Sequence, residues 1–184
     1  MSPLSNEEKR FLLGLAKASL QAAVSGWPFP EPLDIPPALR NPGSAFVTLH
    51  LHNELRGCVG YLDPADSLYR VVMEGAAAAA LRDLRFLPVA PPELTELEVE
   101  ISVLSRRWEV RAEEIRAGIH GVVVSHGNAR GLLLPQVATE RNWDHLRLLE
   151  ETCKKAGLSP GAWRRGAKIE VFTAEVFSER EFIR

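Results

Sequence analysis

The sequence predicts an α+β fold on the basis of three observations. Residues 45–52, 99–103 and 168–177 alternate apolar and polar side chains, which is the period of a half-buried β-strand. Residues 6–25 instead place apolar side chains at mostly helical spacing. The strands and helices follow one another without a regular βαβ period, which indicates mixed or antiparallel sheets with packed helices.

End signals delimit the first helix. Ser5 or Asn6 can cap its first turn, where Glu7 and Glu8 complement the helix dipole. A stop is expected near Gly26. The proline-rich stretch that follows, up to Pro42, lacks amide donors and has restricted φ angles, so it predicts an extended, irregular connector.

The strand at 45–52 and the segment LRGCVGYL at 55–62 predict a β-hairpin with a two-residue turn at 53–54. This turn would pair Leu49 with Cys58 and place both histidines of the first strand on the face opposite the thiol. A three-residue loop would bring a histidine opposite the thiol, because a slip of one residue reverses the face. We favour the shorter loop.

A second helix is expected to start at Asp63-Pro64-Ala65-Asp66 and to run to about Leu81. Its small residues at 75–80 allow another backbone to pack closely. Residues 118–125 and 131–134 predict a second hairpin, which Pro135 ends.

A last helix is expected to begin at a cap on Thr139 or Asn142 and to end at Gly157. The alternating stretch 168–177 then predicts a single closing strand.

The composition of the 184 residues is that of an ordinary globular protein, with 46% hydrophobic and 25% charged residues. A net charge of -2 gives no basic surplus, which argues against nucleic-acid binding through the phosphate backbone. No secretory signal and no apolar run of about 20 residues is found, so we expect a cytoplasmic protein with reduced thiols and no membrane partner.

The hexapeptide LRGCVG is the strongest candidate for a functional site. Arg56 and Cys58 are two apart in a predicted strand, so they share a face, and a guanidinium favours the thiolate. Gly57 and Gly60 expose the backbone to close approach by another group. The structural alternative is that the cysteine fills space in the core, as buried cysteines often do.

Other polar residues could serve the same site. His120 lies between glycines at a strand start and could activate a thiol. Glu100 faces away from the apolar side of its strand, Asp83 and Arg85 could cap, pair locally or bind an anion, and Gln136 follows Leu134-Pro135. No GxGxxG, Walker, GxSxG, HExxH or CxxC motif occurs, and a lone His-x-His pair supplies too few metal ligands, so neither cofactor nor metal is expected.

Six short motifs in order along the chain together resemble the AMMECR-one domain family. They are LRGCVG at 55–60, with Val59 where the family usually has Ile, the alanine-rich helix ended by Asp83-Leu84-Arg85-Phe86, EISVLS at 100–105, GIHG at 118–121, LLPQVA at 133–138, and Trp143 with CKKAGL at 153–158. The resemblance extends from the first helix to about Glu179, and the ordered set of motifs makes it highly specific.

The resemblance implies one α+β domain over 1–184, in which a larger and a smaller subdomain interleave in sequence and a cleft lies near 55–60. The biochemical activity of the family is not established. Similar prokaryotic proteins are called protein A of the AmmeMemoRadiSam system. They are associated with a Memo-like protein and a radical S-adenosylmethionine enzyme, and a role in modifying a nucleic acid or a small molecule has been suggested.

The resemblance makes the LRGCVG hairpin the leading site, and two functions of different class follow. In an enzyme or enzyme component, Cys58 would be the nucleophile, Arg56 an anion clamp and Glu100 or His120 a proton carrier. The remaining site residues, Gly57, Gly60, Arg85 and Gln136, would contact substrate or partner. In a non-catalytic binding module, the sheet edge at the same hairpin would accept an extended segment of a partner protein.

Overall fold

A computed structural model describes residues 3–63 and 66–182 and divides them into two compact units. Of the described residues, the smaller unit contains Ser105–Ala174, and the larger unit contains those up to Leu104 and those from Glu175 onward. The chain therefore leaves the larger unit after Leu104 and returns to it for its last strand.

The larger unit packs helices on an antiparallel sheet. The helices are α1 (Asn6–Ser25) and α2 (Leu68–Leu81). The strands are β1 (Ser44–Leu51), β2 (Glu54–Tyr61), β3 (Leu97–Leu104) and the last strand of the chain, β8 (Ala174–Ser178). Their order in the sheet is β2-β1-β3-β8, so β2 is an edge strand.

The smaller unit has a sheet and helices of its own. The strands are β4 (Trp108–Glu109), β5 (Gly121–His126), β6 (Ala129–Leu133) and β7 (Lys168–Phe172), in the order β4-β7-β5-β6. The helices are α3 (Pro135–Arg141) and α4 (His145–Lys155). Two antiparallel sheets with packed helices confirm the predicted α+β class.

The end signals of α1 act as expected. The Ser5 hydroxyl accepts a hydrogen bond from the Glu8 amide at 3.2 Å, and the Glu8 carboxylate accepts one from the Ser5 amide at 2.7 Å. This reciprocal capping box satisfies donors that the first turn leaves open. Gly26 adopts a left-handed φ of 69° and ends the helix.

Several predicted boundaries were wrong. α2 was expected to start within residues 63–66, but it begins at Leu68, after the N-cap residue Ser67. Two residues of the expected start, 64 and 65, lie outside the described residues. The alternating stretch 168–177 is two strands in two different sheets, β7 and β8, because the chain changes unit between them. The alternation shifts its phase at the adjacent apolar residues Val171 and Phe172, and the prediction of one strand overlooked this break.

The region after β6 also differs from the prediction. Pro135 follows the strand as expected, but it opens the short helix α3, where its fixed φ and missing amide donor suit the first helical position. The cap of the last helix is Asp144, whose carboxylate accepts from the Arg147 amide at 2.7 Å, and neither Thr139 nor Asn142.

The small residues of α2 allow very close packing on the β1–β2 hairpin, as predicted. A Cβ at Gly57 would lie 2.2 Å from the backbone oxygen of Ala79, and one at Gly75 would lie 3.1 Å from the Val47 side chain. The helix thus lies directly on the strands. Together they bury an apolar face that includes Leu49 and Ile101.

Gly57→Ala is expected to destabilise the protein, because the new methyl group can be accommodated only if a strand or a helix backbone moves. The expected loss in the free energy of unfolding is about 1–3 kcal/mol. Gly14→Ala is the matched control, since Gly14 is an exposed helical residue whose added Cβ would meet nothing within 4 Å. This control should gain about 0.5–1 kcal/mol. Urea unfolding measures both, and an unchanged midpoint for Gly57→Ala would contradict the packing.

Candidate functional site

The register of the β1–β2 hairpin differs from the one that we favoured. The turn residues are His52 and Asn53, both at positive φ (53° and 69°), and a register shift follows between Leu49 and His50. Arg56 is the extra residue of the resulting β-bulge. The turn lies one position before the predicted one. Together with the bulge, this shifts the pairing of β1 with Cys58 by one residue relative to the prediction, and such a shift places the opposite face of β1 beside the thiol.

Thr48 therefore pairs with Cys58, and the prediction that Leu49 pairs with the cysteine was wrong. Because side chains alternate along β1, His50 lies on the same face of the sheet as the thiol and not on the opposite face. The error has a physical cause, since neither the left-handed turn nor the bulge leaves a distinct sequence signal here.

Three polar side chains form a row across adjacent strands on this face. Cys58 of β2 lies opposite Thr48 of β1, which in turn lies opposite Glu100 of β3. Thr48 is buried, with 8% of the residue exposed, and its hydroxyl donates a hydrogen bond to the Cys58 sulfur at 3.3 Å. Two strand spacings separate the cysteine from the glutamate by about 10 Å between backbones. Glu100 thus lies on the same face as the thiol, one strand beyond Thr48.

The backbone of Cys58 is held by two side chains from the loop after α2. Its amide donates to the Asp83 carboxylate (Oδ2) at 2.9 Å, and its carbonyl accepts from the Arg85 guanidinium at 3.4 Å. The guanidinium also bonds both carboxylate oxygens of Asp83, at 2.9 Å and 2.6 Å. Of the alternatives left open for this Asp-x-Arg pair, local pairing is the one observed.

Electrostatics reinforce this arrangement. The pKa of the Asp83 carboxyl is held far below its usual range, chiefly by the hydrogen bond from Arg85 and further by those from the Cys58 and Arg85 amides. The pKa of Arg85 is raised chiefly by Asp83, and the negative charge of a Cys58 thiolate contributes to the same shift. Because such coupling is reciprocal, Arg85 favours the thiolate form of the cysteine.

Arg56 makes a set of contacts that sequence could not specify. Its guanidinium bonds both carboxylate oxygens of Glu93, at 2.7 Å and 3.1 Å, and the carbonyls of Leu87 and Pro88, at 2.8 Å and 3.3 Å. The same hydrogen bonds are the main reason that the pKa of Glu93 is lowered. Arg56 thus ties the segment 87–93 to β2, and its role as an anion clamp stays a prediction.

Close packing explains why both Gly57 and Gly60 of the hexapeptide are glycines. Gly57 admits the Ala79 carbonyl, and a Cβ at Gly60 would lie 2.4 Å from the Ala45 oxygen and equally close to the Phe46 ring. These contacts account for the glycines without a ligand. Their contact with a substrate or partner therefore also stays a prediction.

His120 and Gln136 belong to the smaller unit, whereas Cys58 and Glu100 belong to the larger one. The His120 ring accepts a hydrogen bond at Nδ1 from the Arg116 amide (3.2 Å) and packs edge to face on Trp108. Burial, and secondarily Arg116, lowers the pKa of His120. The neutral ring then carries its proton on Nε2.

Sequence reasoning missed Thr48 as a partner of the thiol and gave Asp83 no definite role. The threonine could have been found only from the correct register. The aspartate had a weak signal, since the Asp-x-Arg spacing after a helix suits a local ion pair. Among the described residues, no cluster of three or more potential metal ligands occurs, and no helix is long and apolar enough to cross a membrane.

The Asp83 ion pair predicts a pH-dependent difference between the protein and its Asp83→Asn variant. The Asp83 side chain is only 7% exposed. Because its folded-state pKa lies below the unfolded value, its stabilisation is complete above the unfolded pKa and is lost as the pH falls through the folded pKa. At pH 7 the variant should be less stable by about 2 kcal/mol.

This difference should hold down to about pH 5 and shrink below about pH 4. Urea unfolding of both proteins at several pH values measures it. A difference that is constant across this range, or absent at pH 7, would contradict the ion pair at the buried Asp83 carboxylate.

Comparison with known proteins identifies the family. The AMMECR1 family model matches residues 13–177. A protein of Methanothermobacter thermautotrophicus is 40% identical, with 97% of each chain covered, and one of Methanosarcina acetivorans is 37% identical over 97% of this chain and 94% of its own. A crystal structure of an uncharacterised protein from Pyrococcus horikoshii, 38% identical, superposes with a TM-score of 0.87 over 95% of this chain and 93% of that one. The chain belongs to the AMMECR1 family.

Proposed function

We propose that this protein is a cytoplasmic enzyme or enzyme component whose functional site is the LRGCVG hairpin. The observation that carries the proposal is the set of polar contacts around Cys58. Its thiol is half-buried, its sulfur accepts a hydrogen bond from Thr48, and its backbone is bonded on both sides by Asp83 and Arg85. The two backbone contacts hold the residue in place, and a cysteine that only fills space needs no hydroxyl donor at its sulfur.

The contacts suit nucleophilic chemistry at sulfur. The thiolate is the reactive form, and both the hydroxyl of Thr48 and the positive charge of Arg85 favour it. Glu100 is a half-buried carboxylate on the same face, and Thr48 stands between it and the sulfur. It is the proton carrier that this geometry supports best, with His120 of the smaller unit as the second candidate.

We further propose that the protein acts with a Memo-like protein and a radical S-adenosylmethionine enzyme on a small molecule or a modified nucleotide. Membership of the AMMECR1 family supports this proposal. The near-neutral charge balance supports a small substrate over a nucleic acid bound along its backbone.

The alternative is a binding module that uses the same hairpin. Leu84 and Leu87 favour it, because they are 99% and 83% exposed in the segment beside β2. Addition of a partner strand at Cys58 itself is disfavoured, since the partner would have to displace Asp83 and Arg85 from the outer edge of β2. A module would therefore bind through the leucines, and Leu84→Ser with Leu87→Ser would weaken its association with the partner proteins.

The proposal predicts an accessible thiol whose reactivity depends on Arg85. The rate of alkylation of Cys58 by iodoacetamide is measured against pH in a Cys153→Ser background, because Cys153 is the other cysteine and is buried. Arg85→Gln removes the positive charge and leaves Asp83 unpaired, so the midpoint should rise by about one pH unit. Glu100→Gln removes a negative charge and should lower the midpoint.

Arg106→Gln is the matched control, because Arg106 is an exposed arginine of the smaller unit, and it should leave the profile unchanged. Labelling of Cys58 only after unfolding would overturn a nucleophilic role and would favour the binding module. Equal effects of Arg85→Gln and Arg106→Gln would show that the ion pair does not act on the thiol.

A further inference from the structure

A concave site of about 520 Å³ in the larger unit is separate from the LRGCVG hairpin. It lies between the proline-rich connector and the first turn of α2, and its polar lining consists of Arg40, Asp66, Ser67, Tyr69 and Arg70. Ile35 and Pro42 add apolar surface. The site is an open depression and not an enclosed pocket, so polar contacts would have to supply most of the affinity for a ligand.

Backbone hydrogen bonds fix the floor of this concavity. The Gly43 amide donates to the Asp66 carbonyl at 3.1 Å, and the Leu68 amide donates to the Asn41 carbonyl at 2.9 Å. Pro42 and Ser67 form an antiparallel bridge between them. The connector and the start of the helix are thereby held together, and with them the positions from which the two arginines extend.

Each arginine is anchored through its Nε. Arg40 Nε donates to the Ile35 carbonyl at 3.1 Å, and Arg70 Nε donates to the Tyr69 hydroxyl at 2.9 Å. Within the described part of the chain, no hydrogen bond engages the terminal nitrogens of Arg40, and the closest acid to those of Arg70 is Asp66 at 3.8 Å. Such anchoring reduces the entropy that an arginine loses on binding a ligand.

The charge of the lining favours an anion. The lining carries two guanidinium groups and one carboxylate, that of Asp66, while Glu74, outside the lining, also acts on Arg70 through its charge. The Tyr69 hydroxyl, which accepts from Arg70, keeps its own proton to donate. A planar guanidinium binds phosphate or carboxylate oxygens through two parallel hydrogen bonds. We propose that this concavity binds the oxyanion group, phosphate or carboxylate, of a small molecule whose apolar part contacts Ile35 and Pro42.

Titration of inorganic phosphate and, separately, acetate into the full ¹⁵N-labelled chain tests the proposal. Saturable shifts are expected at the Ser67 and Leu68 amides and at the Nε–H groups of Arg40 and Arg70. Tighter binding of phosphate would identify a phosphorylated ligand, and tighter binding of acetate a carboxylate. Arg40→Gln and Arg70→Gln should each weaken binding about tenfold, because each removes a charge-assisted hydrogen bond.

Three further variants sharpen the test. Arg70→Lys keeps the positive charge but loses the paired donors of the planar guanidinium, so its affinity for the anion should lie between those of the native protein and of Arg70→Gln. Asp66→Asn removes the competing carboxylate and should tighten binding. Arg106→Gln should have no effect. Absence of saturable shifts, or equal losses in Arg40→Gln, Arg70→Gln and Arg106→Gln, would overturn the proposal.

Discussion

The close approach of α2 to the β1–β2 hairpin is the constraint on which the candidate site depends. The Ala79 carbonyl occupies the space where any side chain at position 57 would lie. Because the helix lies this near the edge strand, the chain that follows Leu81 emerges beside β2, and the Asp83 carboxylate reaches the Cys58 amide at 2.9 Å. A bulkier helix would move the ion pair away from the cysteine.

The ion pair of Asp83 and Arg85 satisfies two requirements at once. The amide and carbonyl of Cys58 lie on the outer side of an edge strand, where unpaired backbone groups invite pairing with another chain. The two side chains bond both groups and so protect the edge. The same bonds fix the backbone that carries the thiol, while the sulfur stays half-exposed and bonded to Thr48. Protection of an edge and positioning of a reactive group thus depend on one contact.

Much of the fold could be predicted because its signals are local. The capping box of α1, the alternation of β1 and β3 and the small residues of α2 each depend on neighbours in sequence. The register of the hairpin could not be predicted, since it depends on a left-handed turn at His52 and a bulge at Arg56. The separation of β7 from β8 was missed because its local sign is a pair of adjacent apolar residues, Val171 and Phe172, which shifts the phase of the alternation by only one residue.

The candidate site was predicted in part. The hexapeptide identified Cys58, but the contacts of Arg56 with Glu93 span 37 positions in sequence, and the Thr48 hydrogen bond depends on register. Such partners are set by tertiary packing, which residue types alone do not specify. His120 and Gln136, named as possible neighbours of the cysteine, belong to a different unit of the chain, and their part in the site stays a prediction.

Amide hydrogen exchange at Cys58, followed by NMR, tests directly whether the Asp83 carboxylate holds this residue. The Cys58 amide points away from β1, so without the carboxylate it would exchange as a solvent-exposed edge amide does. With the carboxylate bonded to it, the amide should be protected to a degree similar to amides in the β1–β2 ladder, and Asp83→Ala should abolish that protection. Rapid exchange of the Cys58 amide in the native protein would contradict the clamped geometry and, with it, the view of Cys58 as a positioned thiol.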